Sequence, residues 1–134
     1  MQTLEQRSQA NKILIADDSA SSRDLLRFIL QRFGCEVLEA HDGQEALKLA
    51  SLSKPDMLIL DLNMPVLDGY SVASELRKLP PFATTPILAL SAGPSETDVE
   101  RLKEAGFSLF LKKPIVPARL RACIAQHLGV VTKV

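Results

Sequence analysis

Asp17 and Asp18 stand side by side directly after an apolar run, Ile13-Leu14-Ile15-Ala16, and Asp61 directly follows another, Met57-Leu58-Ile59-Leu60. Three carboxylates brought to one edge repel each other, which raises their pKa values unless a cation sits among them. A hard, oxygen-seeking ion such as Mg2+ suits carboxylates combined with a carbonyl and water. Ser91 follows a third run, Ile87 to Leu90, and Lys112-Lys113-Pro114 follow a fourth. A hydroxyl can donate to a phosphoryl oxygen, and a Lys ammonium neutralises its charge as a point cation. Singly, each has a bland explanation. Asp17 and Asp18 can cap a following helix, with Ser19, Ser21 and Ser22 as rivals for that job. A Ser after a strand is commonly a cap, and an exposed Lys is commonly just solvated. Together they supply metal ligands, a nucleophilic carboxylate and two groups to steady phosphoryl oxygens, which is what acyl-phosphate chemistry requires.

Such residues meet only if the elements around them converge. The runs Ile13–Ala16, Met57–Leu60 and Ile87–Leu90 are apolar at successive positions. Neighbouring side chains in a strand point to opposite faces, so these predict strands covered on both sides. Glu36-Val37-Leu38-Glu39 carries two acids and predicts an edge strand, and a fifth strand is expected over Phe107 to Leu111. The stretches between have helical spacing. Leu25, Leu26, Ile29, Leu30 and Phe33 mark one helix, stopped at Gly34. Ala46, Leu47 and Ala50 mark a second; Val72, Ala73, Leu76 and Leu79 a third; Val99, Leu102 and Ala105 a fourth, ended by Gly106. Leu120, Cys123, Ile124 and His127 mark a fifth, opened by Pro117. Five strand-helix units in strict alternation predict an α/β fold, a doubly wound parallel sheet with helices on both faces. Ligand sites in such sheets lie beyond the carboxyl ends of the strands, which is where these acids, the Ser and the Lys fall.

A chain of 134 residues suits one domain with a real core. Residues 12–128 are expected to form it, with a polar tail at 1–11 and a short tail at 129–134. Sixteen basic and sixteen acidic residues cancel, so charge points neither to nucleic acid nor to an anionic membrane. No apolar run approaches the roughly 18 residues that span a bilayer, and the polar start lacks a secretory signal. Cys35 and Cys123 form no CxxC pair and no clustered His accompanies them, which argues against a disulfide framework or a zinc site. A cytoplasmic protein is expected.

Four blocks carry a resemblance: ILIADDS around Asp17-Asp18, LILDLNMPVLDG from Leu58 to Gly69, ILALSA ending on Ser91-Ala92, and FLKKP ending on Pro114. In this order they resemble the response-regulator receiver domain of two-component signalling. The spacing Asp61, Met64, Pro65, Asp68, Gly69 is the most specific piece, similar to the family's D-x-x-M-P-x-x-D-G. The likeness runs from about Lys12 to about Leu128 and implies a flavodoxin-like five-stranded parallel sheet, strand order 2-1-3-4-5, with five helices.

The resemblance also implies roles. Asp61 would be the phosphoacceptor, attacking a phosphohistidine on a histidine kinase or histidine phosphotransfer protein. Asp18, Asp61 and the main-chain carbonyl of Asn63 would ligate Mg2+, with Asp17 acting through a metal-bound water. Lys113 would pair with Asp61 and then with the phosphate, Lys112 being its nearest competitor, and Lys113-Pro114 would be cis. Ser91 and Phe110 would be the switch, changing the surface of helix four, strand five and helix five, where a protein target or a second copy docks. The bland alternative for Phe110 is core packing. Such a domain catalyses its own phosphorylation and dephosphorylation rather than acting as an enzyme on others. Helix one, beginning near Ser21 and exposing Arg23 and Arg27, is where the family meets its donor. Asn63 and Gly93, each two residues past a site residue, border the route of an attacking water.

Other readings fit less well. A haloacid-dehalogenase-type phosphohydrolase wants an acid two residues after its nucleophile, and Asn63 cannot serve. A dinucleotide- or flavin-binding module wants glycines after strand one, where Asp17-Asp18-Ser19-Ala20 places acids. A receiver that only docks or dimerises is disfavoured by its intact set of site residues. His41, before the turn signal Asp42-Gly43, and His127, at the rim of the last helix, are not flanked as a phosphoryl relay requires. Asp68-Gly69 reads as a turn and helix start.

Overall fold

Short apolar runs alternate with helix-period stretches along the chain, and each run becomes a strand. The computed structural model describes residues 10–92 and 98–128; the readings for Gly93 and for nearly all of both tails fall outside the described residues. In chain order the elements are β1 (Lys12–Ala16), α1 (Ala20–Arg32), β2 (Glu36–Ala40), α2 (Gly43–Ser53), β3 (Met57–Asp61) and α3 (Gly69–Arg77). A 3-10 turn (Pro80–Phe82), β4 (Ile87–Ser91), α4 (Val99–Ala105), β5 (Leu109–Lys112) and α5 (Pro117–Leu128) complete it. All strand pairs are parallel and the order is β2-β1-β3-β4-β5, as expected.

Side-chain alternation builds two cores, one on each side of the sheet. Ile13, Ile15, Met57, Ile59, Leu88 and Leu90 pack under α1 and α5. Leu14, Leu58, Leu60, Ile87 and Ala89 pack under α2, α3 and α4. Every residue of β3 and β4 is buried, whereas β2 is largely half-buried, as its two acids predict for an edge. Each fully buried Leu or Ile side chain contributes about 1.5–3 kcal/mol.

Helix starts are set by side-chain caps. Asp42, Asp68 and Asp98 accept from Glu45, Ser71 and Glu100 N–H groups at 2.8, 2.8 and 3.1 Å. Each such cap is worth about 1 kcal/mol. Gly34 (φ 87°) and Gly106 (φ 105°) follow α1 and α4 in the left-handed region that glycine adopts at least cost.

Five sequence readings need correction. Strand five begins at Leu109, not Phe107, because Phe107 N–H is spent on the Leu102 carbonyl in closing α4. Helix α3 stops at Arg77, short of Leu79, since Pro80-Pro81 cannot continue it. Leu25 and Val99, assigned to the apolar faces of α1 and α4, are 47% and 49% exposed. Arg23, expected to be exposed, keeps only 18% of its side-chain surface.

Candidate functional site

Register brings the site residues level. Ala16 pairs with Leu60, Asp61 with Leu90, and Ser91 with Lys112. Asp61 and Ser91, which end β3 and β4, and Asp17 and Lys113, which follow β1 and β5, therefore emerge at one rim.

Asp17 is 0% exposed. Its N–H donates to the Ala40 carbonyl at 3.2 Å, extending the ladder one step beyond β1. Its Oδ1 accepts from Ser19 N–H at 2.9 Å, and its Oδ2 accepts from Lys113 Nζ at 3.1 Å. The rivalry over the α1 cap is thereby resolved. Ser19 holds it, its Oγ accepting from Ser22 N–H at 3.3 Å, so Asp17 and the exposed Asp18 are not consumed as caps.

Asp61 is 6% exposed at the end of β3. One carboxylate oxygen accepts from Asn63 N–H at 3.2 Å, the other from Lys113 Nζ at 3.2 Å. Burial pushes its pKa up; the Asn63 N–H pulls it down, Asp17 pushes it further up and Lys113 opposes, leaving it above the ordinary aspartate value. For Lys113, burial works against the charge, but Asp61 and Asp17 outweigh it and raise the pKa. Lys113 is thus the cation of the site. Lys112, its competitor, is an exposed residue of β5. The Lys113-Pro114 bond is cis, and Lys113 N–H donates to the Ser91 carbonyl at 2.7 Å. Ser91 is 0% exposed at the end of β4. Phe110 is half-buried in β5 and packs against the core beneath α2, α3 and α4. It also lines a cavity of about 290 Å³ with Val99, Leu102 and Phe107.

The loop after Asp61 is shaped by steric limits. Leu67 N–H closes a three-residue turn onto the Pro65 carbonyl at 2.7 Å, with Val66 at φ 70°. A β-branched residue there stores roughly 1–3 kcal/mol of backbone strain. Gly69 lets α3 start against the strand end, since a Cβ would lie 2.6 Å from the Asp61 carbonyl oxygen. Sequence reading took Asp68-Gly69 as a turn and helix start, which the helix beginning at Gly69 bears out; the close approach to the Asp61 carbonyl was not visible. It also missed Arg23, whose Nη1 donates to the Asp17 carbonyl at 2.7 Å.

Ligand oxygens of Asp17, Asp18 and Asp61 lie within 4.8 Å of one another. Three acids against one ammonium leave an excess of negative charge in a small volume, with oxygen donors only. That donor set fits a hard divalent ion such as Mg2+ and suits neither zinc nor copper. His41 contacts Asp42 and Glu45 at 3.4 and 3.3 Å, and His127 Nδ1 sits 3.0 Å from the Cys123 carbonyl. Neither joins the acidic group.

Fold and site together define a class: flavodoxin-like α/β domains with an acidic, cation-ready pocket at the carboxyl edge of the sheet. The family model described as response regulator receiver domain matches residues 13–125. A 14.6 kDa protein encoded in the sodA1 3' region of Leptolyngbya boryana is 38% identical over 95% of this chain and 94% of its own length. Among solved structures, the Vibrio cholerae chemotaxis protein CheY4 matches with TM-score 0.84 and 34% identity, over 89% of this chain and 99% of its own. The receiver domain of the sensor histidine kinase PA1611 from Pseudomonas aeruginosa PAO1 matches with TM-score 0.84 and 30% identity, over 91% and 100%. That structure holds a magnesium ion coordinated in its active site cleft. The chain spans about half the length of several other curated relatives. It belongs to the response regulator receiver domain family of two-component signalling.

Proposed function

We propose that this protein is the phospho-receiver of a two-component or phosphorelay system, taking a phosphoryl group from a phosphohistidine donor onto Asp61. One observation carries the reading: the nearly buried Asp61 carboxylate shares Lys113 with Asp17 and lies within 4.8 Å of two further acids. One oxygen of Asp61 attacks phosphorus in line with the bond to the donor's imidazole nitrogen. The P–N bond breaks, an acyl phosphate forms on Asp61, and the imidazole leaves with the bond's electron pair and takes a proton. Asp18, Asp61 and the Asn63 carbonyl would hold a magnesium ion, with Asp17 reaching it through water, and the bound ion would supply positive charge beside the transferring oxygens. Lys113, freed of its bond to Asp61, donates to the phosphate. The Ser91 hydroxyl donates to another phosphoryl oxygen; drawn toward it, Ser91 vacates space into which Phe110 turns. The α4-β5-α5 surface then changes for a protein target or a second copy, a local charge event biasing a two-state element.

The donor, a histidine kinase or phosphotransfer protein in the cytoplasm, meets α1. Leu25 and the exposed Phe28 offer apolar surface there, beside a cleft of about 160 Å³ that reaches Lys113 and Pro114. The test is intact mass after incubation with Mg2+ and a small acyl phosphate. Wild type gains one phosphoryl group; EDTA prevents it and Asp61→Asn lacks it. A wild type that gains none leaves a docking domain without phosphoryl chemistry and overturns the proposal.

A further inference from the structure

The acids reach the rim on a stretch of chain that the sheet no longer supports. Beyond Ala16 the strand has ended, and Asp17 makes one last ladder bond through its N–H. Its carbonyl belongs to the peptide that joins Asp17 to Asp18. The tilt of that peptide sets ψ of Asp17 and φ of Asp18, and so the directions in which both carboxylates leave the chain. The carbonyl is held by Arg23 Nη1, from the first turn of α1, at 2.7 Å.

Arg23 is itself fixed from two sides. Its own N–H donates to the Ser19 carbonyl at 3.0 Å, the opening bond of the helix. Its Nε faces Glu39 Oε1 in β2 at 3.5 Å, and the other oxygen of Glu39 takes Arg27 Nη1 at 2.5 Å. The planar guanidinium presents several N–H groups in one rigid fork, so one residue can reach a carbonyl and a carboxylate at once. Glu39, together with Asp24, which accepts from Arg27 Nη2 at 2.9 Å, balances the two guanidinium groups, so the clamp puts no uncompensated cation beside a pocket that must attract one.

We propose that Arg23 is a positioning residue for the acidic pocket: by clamping the Asp17–Asp18 peptide to β2 it preorganises the two acids to receive a divalent cation. The inference rests on the phospho-receiver reading and names how this chain holds the pocket ready. A group that orients metal ligands without touching the metal commonly changes metal affinity 10- to 100-fold when removed.

The experiment is calorimetric titration of Mg2+ into the full chain, with the Mg2+-induced shift in unfolding midpoint as second readout. Arg23→Met removes the donors and the charge while keeping the length; Mg2+ Kd is expected to rise roughly 10-fold and the midpoint shift to shrink. A role through charge alone has the opposite sign, because removing a cation beside a divalent site tightens binding. An unchanged or lower Kd in Arg23→Met overturns the inference. Arg23→Lys, with the charge and one donor but no fork, is expected to weaken binding about 3-fold. Should Arg23→Met fail to fold, a Kd for Arg23→Lys equal to that of wild type overturns it instead. The two readings fail separately: wild type that binds Mg2+ and takes a phosphoryl group while the variants match it sinks only the clamp. Wild type that does neither sinks the receiver assignment and the clamp with it.

Discussion

The β1–β3 side of the sheet and its β5–α4 side differ in how firmly they are held. β1 and β3 are buried almost throughout, and the acids that follow them are tied by Arg23, Asn63 N–H, Ser19 N–H and Lys113. β5 is an edge strand, half-buried along most of its length, and a cavity of about 290 Å³ separates it from the seven-residue α4. Helix α4 is anchored at its carboxyl end. Arg77 donates from Nε and Nη2 to the Gly106 carbonyl at 2.9 and 2.7 Å, and from Nη1 to the Phe82 carbonyl at 2.6 Å. Farther up, Arg101 stacks on the Tyr70 ring at 3.8 Å. The proposed chemistry sits where packing permits one geometry, and the proposed switch where packing leaves room for two. Interiors at full packing density resist small shifts, so a movable surface has to be built from looser parts.

Breaking the rigid side has the largest expected effect. Lys113→Met removes the cation shared by Asp61 and Asp17, and phosphorylation by a small acyl phosphate is expected to slow by roughly 10²–10³-fold; stopped-time intact mass measures it. A rate within a few-fold of wild type would mean that Lys113 plays no part in transfer. Leu58→Ala, in the fully buried β3, is expected to cost about 3 kcal/mol in urea unfolding. Leu109→Ala at the half-buried edge should cost about half as much, since less surface returns to water. Equal costs would erase the contrast between the two sides. Phe110→Leu borders existing space and is expected to cost under about 1.5 kcal/mol, while shifting the phosphorylation-dependent NMR changes on α4 and β5.

The smallest effect is a pH-dependent one. Asp61 has a raised pKa in the folded protein, so the native state holds that proton more tightly than the unfolded chain does. Stability from this group is therefore lost as pH rises from the ordinary aspartate range through the folded value. Without Mg2+, Asp61→Asn should melt higher than wild type at pH 7, by roughly 4 °C if the relief is near 1 kcal/mol. The gap should close as pH falls toward 4. A variant that melts lower than wild type at pH 7 would show Asp61 to be a net stabiliser.

Much of this was legible in the linear chain because its signals are local. Apolar runs marked β1, β3 and β4, the acids of Glu36-Val37-Leu38-Glu39 marked an edge, and Gly34, Gly106 and Pro117 punctuated helices where expected. What was misread depends on who stands opposite. Phe107 looked like strand until the end of α4 claimed its N–H, and Leu25 obeyed the helical period yet stays half exposed among the described residues. Arg23 looked like a solvated surface charge because nothing near it in sequence reveals the carbonyl of Asp17 and the carboxylate of Glu39.

By itself, then, the sequence determined the alternation of strands and helices and the placing of Asp17, Asp18, Asp61, Ser91 and Lys113 at strand ends. Those properties follow from periodicity and spacing, which act over a few residues; the receiver family came from the resemblance of four short blocks. Only the tertiary structure decided that Lys113 rather than Lys112 turns inward, that Ser19 rather than an Asp caps α1, and that Arg23 clamps the acids from behind. Each of these turns on direction and distance, and the bond from Lys113 to Asp17 spans 96 positions of chain. A side chain's partner at that range is chosen by strand register and packing, which no local pattern encodes.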